Sequence, residues 1–210
     1  MRITQLMPDV FRLEVPFEDI YTAVFAVVTA NGYLLIDSAT TSADVEEHIL
    51  PALRSLGLIG PPLALLLTHG HGDHAGGAPR LAQEFPRMPI FAHEEIKGLS
   101  CHPVKDDELL YGRLRVLHLP GHTRRSVGYL DEHDHALFSG DCLQQKGVSR
   151  YRNGIGHPTL YRESLRRIAQ IAPCLIFASH EYAPLGSVAR GEKEVARYLA
   201  ECEAACHSSP

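Results

Sequence analysis

The sequence has no long hydrophobic run, no surplus of positive charge and few cysteines. No apolar stretch approaches the about 20 residues that a membrane-spanning helix needs, so we expect no membrane partner. The 20 lysines and arginines are outnumbered by 25 aspartates and glutamates, which argues against a nucleic-acid partner bound through a basic surface. The five cysteines form no paired framework and residues 1–16 show no secretory signal, so we predict a cytoplasmic protein.

The chain of 210 residues also contains no linker, low-complexity segment or short repeat, so we predict one domain over residues 1–210. Alternating apolar residues predict two β-hairpins, the second turned by Asn31 and Gly32, and strands then alternate with helices. This order predicts an α/β fold with two mixed sheets and outer helices, a four-layer αββα sandwich. The predicted strands cover residues 3–7, 10–15, 21–29, 33–37, 63–67, 89–92, 113–119, 126–130, 136–139 and 175–178. The predicted helices cover residues 43–56, with Ser42 as the N-cap, and residues 73–85, 93–98, 158–172 and 188–206.

The densest group of chemically active side chains is His69, His71, Asp73 and His74. It directly follows the short aliphatic strand predicted at residues 63–67, and the carboxyl ends of strands are where an open α/β sheet usually keeps its site. Neutral imidazole is a ligand suited to zinc, iron, copper or nickel. The group therefore predicts a divalent-metal site.

Three more residues of the metal-ligating types, His122, Asp141 and His180, stand where other predicted strands end. Together with the first group they supply five imidazoles and two carboxylates, enough for two divalent ions that share one carboxylate and keep open positions. Two ions about 3.5–4 Å apart lower the pKa of a shared water towards about 7. The pattern therefore predicts a catalytic metal site.

Four motifs give the sequence a family resemblance: T-H-x-H-x-D-H at residues 68–74, P-G-H-T at 120–123, G-D at 140–141 and S-H at 179–180. They resemble the metallo-β-lactamase-fold hydrolases. The resemblance implies that His69, His71 and His122 hold one metal, that Asp73, His74 and His180 hold the second, and that Asp141 bridges them. It also implies that Asp37 orients a ligand histidine by accepting a hydrogen bond, the alternative being a plain turn residue.

The antibiotic-degrading members of the family lack the bridging aspartate. With Asp141 present, the chain resembles the glyoxalase-II-like and lactonase-like branches more than a true β-lactamase. The resemblance then implies a dinuclear hydrolase in which a metal-bound hydroxide attacks the carbonyl carbon of an ester, thioester or lactone. Asp73 is expected to be catalytic as well as a ligand, because it can take a proton and pass it to the leaving group. The expected cofactors are two divalent metal ions, zinc in the first place and iron or manganese as alternatives.

Three residues are candidates for substrate binding. Arg124 and Arg125 follow His122 and can bind a carboxylate or phosphate, although a solvated arginine pair is the alternative. Tyr161 can polarise a substrate carbonyl, although a tyrosine packed in the core is the alternative. Loops 99–110 and 142–157 have no readable pattern, so the substrate stays open.

Other functions are compatible with the same ligands. A phosphodiesterase uses the same two-metal logic, and an iron-dependent oxidoreductase similar to persulfide dioxygenases uses the same fold. His74 and His180 argue against a single-iron site, and a histidine at position 71 argues against a di-iron reductase. A non-catalytic binding module is the remaining alternative. We predict a small-molecule substrate and leave a homodimer open.

Overall fold

Two mixed β-sheets carry the fold, and each belongs to a different part of the chain. The computed structural model describes residues 1–150 and 154–207. The chain divides into two compact units, Met1–Pro103 and Val104–Pro210. Among the described residues, no helix combines the length and hydrophobicity that crossing a bilayer requires.

The first unit contains a seven-stranded sheet whose strands follow one another in chain order. The first four strands pair antiparallel, and the last four run parallel to one another. Both predicted hairpins are present. The strands are β1 (Arg2–Met7), β2 (Val10–Phe17), β3 (Ile20–Thr29), β4 (Gly32–Ile36), β5 (Ala64–Leu66), β6 (Ile90–Ala92) and β7 (His102–Pro103).

Short helices connect the parallel strands of this unit: α1 (Ser42–Asp44), a π-helical turn (Val45–Ile49), α2 (Leu50–Ser55), α3 (Gly72–Ala75) and α4 (Ala78–Glu84). The N-cap of α1 is Thr41 and not the predicted Ser42. Thr41 is extended, its hydroxyl accepts from the Asp44 N–H at 3.1 Å, and the Asp44 carboxylate accepts from the Thr41 N–H at 2.8 Å. This reciprocal capping box satisfies two helix-end donors at once, which Ser42 in a helical position cannot do.

The helix predicted at residues 93–98 is also wrong, because this segment forms bends and a turn. A helix of six residues is marginal by itself. Gly98 adopts a φ of +80°, and the Glu94 carboxylate accepts from the Gly70 N–H at 2.7 Å. The segment is therefore held by the loop after β5 and not by its own helical hydrogen bonds.

The second unit contains a six-stranded sheet in the order β13-β12-β11-β10-β9-β8. Only β11 and β12 pair in parallel. β13 was predicted as the start of the last helix, but Ala189 is buried where it pairs with Ile176 of β12, so sheet pairing overrides local helix propensity. The strands are β8 (Leu109–Leu110), β9 (Leu114–His118), β10 (Val127–Asp131), β11 (Ala136–Gly140), β12 (Leu175–Ala178) and β13 (Val188–Arg190).

Two longer helices, α5 (Pro158–Ile171) and α6 (Gly191–His207), cover the core of this unit, and a 3-10 helix spans Lys146–Arg150. α5 buries Tyr161, Ser164, Leu165 and Ile168, a spacing of three and four residues that places them on one helical face. Leu165 and Ile168 join a core that includes Tyr198 and Cys202 of α6. The core thus anchors α5 beside the strand ends that carry the candidate ligands.

Candidate metal centre

In the first unit, the parallel strands β4 and β5 end side by side. Ile36 is in register with Leu66, so the residues that follow these two strands meet at one edge of the sheet. The Asp37 N–H donates to the Leu66 carbonyl at 2.9 Å, and the Asp37 carboxylate accepts from the Thr68 N–H at 2.8 Å. Asp37 adopts a φ of +62°, a left-handed conformation that aspartate tolerates better than most residues.

Asp37 contacts the ring of His74, and both side chains are fully buried. The Asp37 Oδ2 atom lies 2.8 Å from Nδ1 of His74. This contact places the proton on Nδ1 and leaves Nε2 as the ring nitrogen for a ligand. The Nε2 atom lies 3.5 Å from Oδ2 of Asp73, whose side chain is 16% exposed.

Glycines hold α3, which carries Asp73 and His74, close to the loop after β4. The N–H and the hydroxyl of Ser38 both donate to the His74 carbonyl at 2.7 Å. A Cβ at Gly76 would lie 1.9 Å from the Thr40 carbonyl oxygen, and a Cβ at Gly77 would lie 2.0 Å from the Ser38 carbonyl oxygen. Only glycine permits this close backbone approach.

One ring nitrogen of His69 lies close to one ring nitrogen of His71. Nε2 of His69 lies 3.0 Å from Nδ1 of His71, and Nδ1 of His69 contacts the Thr68 hydroxyl at 3.1 Å. The ring centroids of His69 and His74 are 4.2 Å apart. The four predicted ligands of this unit are therefore gathered into one cluster, which Asp37 and Thr68 support.

In the second unit, β9, β11 and β12 end at one edge of the sheet, because β9 and β11 both run opposite to β10 and β12 is parallel to β11. His122, Asp141 and His180 follow these three strands. The turn before His122 needs glycine at position 121, where φ is +151° and a Cβ would lie 2.6 Å from Cα of Tyr161. Sheet topology therefore brings together three residues that are far apart in the chain.

Asp141 stands between the two histidines and presents one carboxylate oxygen to each. Oδ2 of Asp141 lies 3.5 Å from Nε2 of His122, and Oδ1 lies 3.4 Å from Nε2 of His180. All three side chains are buried. One carboxylate that faces two imidazoles is the arrangement that a bridging ligand requires.

One buried residue of the site, Gln144, is not among the residues predicted from the sequence. Its amide nitrogen lies 3.1 Å from Nδ1 of His122 and 3.4 Å from Oδ2 of Asp141. The available signal was a pair of glutamines, Gln144 and Gln145, shortly after the G-D motif. Residues 142–157 have no readable pattern, so the sequence alone does not place this pair at the site.

Arg124 and Arg125 have exposed side chains. Their predicted role in substrate binding is compatible with this placement and stays a prediction.

Tyr161 is placed differently from the prediction of a substrate contact. Its side chain is fully buried, and its hydroxyl accepts from the Gln144 N–H at 2.8 Å and donates to the Gln144 carbonyl at 3.0 Å. Burial raises the pKa of Tyr161 well above its usual value, so the hydroxyl keeps its proton. A buried hydroxyl with two partners is not available to a substrate, and we assign Tyr161 a packing and anchoring role instead.

The donor atoms in each unit fit divalent metal ions. Each cluster combines imidazole nitrogens with a carboxylate, the ligand set that zinc and iron sites use. In the first unit, the ligand atoms of His69 and His71, of Asp73 and His74, and of His69 and His74 lie within 4.8 Å of each other. In each unit, the Nδ1 atom of one histidine contacts an oxygen acceptor. Nδ1 of His74 contacts the Asp37 carboxylate, and Nδ1 of His122 lies 2.9 Å from the Gly154 carbonyl. Such contacts are the usual support of metal-binding imidazoles.

Known proteins are similar to this chain in sequence and in fold. A family model described as the metallo-beta-lactamase superfamily matches residues 18–113. A hydroxyacylglutathione hydrolase of Xanthomonas axonopodis pv. citri (strain 306) is 36% identical over 171 residues, which cover 79% of this chain and 62% of that protein. This chain therefore spans less than two thirds of the length of that relative.

Solved structures match over most of the chain. The crystal structure of TTHA1623 in a di-iron-bound form has a TM-score of 0.69 and 27% identity, and the match covers 88% of this chain and 97% of that one. The metallo beta lactamase from Erythrobacter litoralis has a TM-score of 0.75 and 22% identity, with 96% of each chain covered. Together with the two mixed sheets and their helices, these matches confirm the predicted fold class.

Proposed function

We propose that the chain is a member of the metallo-β-lactamase superfamily and a dinuclear metal-dependent hydrolase of an ester, thioester or lactone, which its similarity to these proteins supports. The relative from Xanthomonas is named for hydroxyacylglutathione, a thioester, which supports an acyl substrate. We propose zinc as the first candidate metal, with iron and manganese as alternatives. Iron stays among the candidate metals because the similar protein TTHA1623 has a di-iron-bound form.

The observation that carries this proposal is the position of Asp141. Its two oxygens face the Nε2 atoms of His122 and His180 at 3.5 and 3.4 Å. Carboxylate and imidazole are metal-ligating groups, and a carboxylate that presents one oxygen to each of two imidazoles can be shared by two cations. A shared carboxylate of this kind supports two ions and argues against one closed structural site.

We assign the ligands from the family resemblance. One ion would be held by His69, His71 and His122. The second would be held by Asp73, His74 and His180, and Asp141 would bridge the two. When bound, two such ions lower the pKa of a water shared between them and polarise a carbonyl oxygen.

The chain's own residues would orient the ligands and move protons. Asp37 holds the His74 ring by its Nδ1 atom, which fixes the direction of Nε2. Asp73 keeps part of its carboxylate exposed, so its oxygen can reach a water or a leaving group. In this proposal Asp73 accepts a proton during attack on the carbonyl carbon and returns it to the leaving alcohol or thiol.

The proposed function is tested by metal content and substrate class together. The protein is purified without added metal, analysed for its elements, and assayed against a thioester, an ester, a lactone and a phosphodiester. We expect about two equivalents of zinc, iron or manganese per chain and turnover of at least one acyl substrate. Turnover of the phosphodiester alone would indicate a phosphodiesterase instead. Bound iron together with oxygen consumption would indicate an oxidoreductase. A folded sample that binds no transition metal would refute it.

The exposed arginines after His122 give a separate prediction about substrate charge. Alanine at Arg125 or Arg124 is expected to raise KM for a carboxylate-bearing ester by about 5-fold, the worth of an exposed ion pair of about 1 kcal/mol. KM for a neutral ester should stay unchanged. Arg197→Ala, an exposed arginine on α6, is the matched control. If neither variant separates anionic from neutral esters, the two arginines are solvated surface groups.

A further inference from the structure

Two successive glutamines, Gln144 and Gln145, are fully buried in the second unit. A buried amide is costly unless it is hydrogen-bonded, so each side chain must have a structural or functional partner. The two side chains serve different partners, although they are neighbours of the same residue type. This difference makes it possible to separate their roles.

We propose that Gln144 is a positioning residue that holds the His122 ring in the geometry for metal binding and thereby raises the metal affinity of the centre. The inference rests on the proposed function, because it concerns one of the proposed ligands. Gln144 is not a ligand in this proposal. Its amide contacts the far nitrogen of the His122 ring and one oxygen of Asp141.

The chemistry of the amide suits the His122 ring. A cation held at Nε2 of His122 requires the ring proton to be on Nδ1, since neutral imidazole carries only one. That proton can be accepted by the Gly154 carbonyl at 2.9 Å and by the amide oxygen of Gln144 when the amide is turned towards the ring. Turned in this way, the amide supports the His122 ring and not Asp141, because the same amide atom lies nearest to both groups.

Hydrogen bonds to the backbone of Gln144 fix the point from which its side chain extends. The hydroxyl of Tyr161 bonds to both the N–H and the carbonyl of Gln144, at 2.8 and 3.0 Å. Tyr161 belongs to the buried face of α5, which packs in the core of the second unit. A rigid helix therefore determines where the Gln144 amide can reach, which is what a positioning residue requires.

Gln145 directs its amide to the backbone instead. Its amide nitrogen donates to the Gly186 carbonyl at 2.6 Å, and its amide oxygen accepts from the Leu185 N–H at 2.8 Å. These two bonds fasten the loop that follows His180. Gln145 is therefore the matched control for burial and polarity, because it supports the fold through backbone groups and not through a ligand side chain.

The test compares Gln144→Met, Gln144→Glu and Gln145→Met in the full chain. Zinc affinity is measured by competition with a chromophoric chelator, and thermal unfolding is measured on metal-free protein. We expect Gln144→Met to weaken the affinity by about 10- to 100-fold, the usual effect of removing a support of a metal ligand. Gln144→Glu keeps an acceptor for Nδ1 and adds negative charge, so its affinity should exceed that of Gln144→Met by about 10-fold or more. Gln145→Met should lower the unfolding temperature and change zinc affinity by less than about 3-fold.

The outcomes separate the inference from the proposed function. Equal losses of affinity in Gln144→Met and Gln145→Met, or a Gln144→Glu variant that binds no better than Gln144→Met, would reduce Gln144 to a packing residue and overturn the inference. Unchanged affinity in Gln144→Met would overturn it as well. A wild-type protein that binds no metal would instead overturn the proposed function. If Gln144→Met does not fold, the comparison of Gln144→Glu with wild type decides: an affinity below wild type overturns the inference.

Discussion

Replacing Asp141 with alanine is expected to lower kcat on the preferred acyl substrate by about three orders of magnitude, a barrier increase of about 4 kcal/mol. The reason is that its two oxygens face two different histidines, so one substitution removes a ligand from both proposed ions. Metal content should fall from two equivalents to one or fewer. The measurements are steady-state kinetics and elemental analysis of the same dialysed sample.

The control for this variant is Asp131→Ala, another fully buried aspartate of the second unit. Asp131 pairs with Arg113 at 2.7 Å, and removing one partner of a buried ion pair costs about 3–5 kcal/mol of stability. It should therefore destabilise the protein while metal content stays near two. An Asp141→Ala variant that retains both ions and full activity would contradict the bridging assignment.

Replacing Asp37 with asparagine is expected to weaken metal binding by about 10- to 100-fold and to destabilise the metal-free protein by about 2–3 kcal/mol. The carboxylate accepts from the Thr68 N–H and from Nδ1 of His74, both in the buried interior. Asparagine keeps the shape and one acceptor, but its amide nitrogen can no longer accept the His74 proton. The ring then loses the contact that directs Nε2. Chelator competition and denaturant unfolding measure the two effects separately.

Ser38→Ala is the matched control for Asp37. Ser38 is also buried and donates to the His74 backbone carbonyl at 2.7 Å, but it does not hold the ring. We expect a loss of about 1 kcal/mol in stability and nearly unchanged metal affinity. If Ser38→Ala and Asp37→Asn weaken metal binding equally, Asp37 acts through general stability of the loop and not through the orientation of His74.

Much of the site was predictable because its residues obey short-range rules. His69, His71, Asp73 and His74 occupy one strand-to-helix connection, so their proximity follows from chain geometry alone. His122, Asp141 and His180 were predictable as a group because each follows a strand, and strands that run in the same direction end at the same edge of a sheet. The contact between Asp37 and His74 follows from the same rule, since β4 and β5 are parallel neighbours.

Predictions failed where distant parts of the chain compete with local preference. Residues 188–190 are predicted as the start of the last helix but pair with β12. Residues 93–98 are predicted as a short helix but are held by the loop after β5. The placement of Tyr161 against Gln144 could not be read from α5, because helical periodicity identifies a buried face but not what it contacts. The single domain, the cytoplasmic location, the homodimer and the ligand assignments stay predictions.

The sequence by itself determined the fold class, the order of the strands that carry ligands and the chemical types of those ligands, because periodicity and short polar motifs are local properties. Only the tertiary structure decided that Asp141 lies between two histidines, that Gln144 contacts Nδ1 of one of them and that Tyr161 is buried in the core. Those facts depend on the direction in which side chains leave loops and helices, and that direction is set by packing against residues far away in the chain.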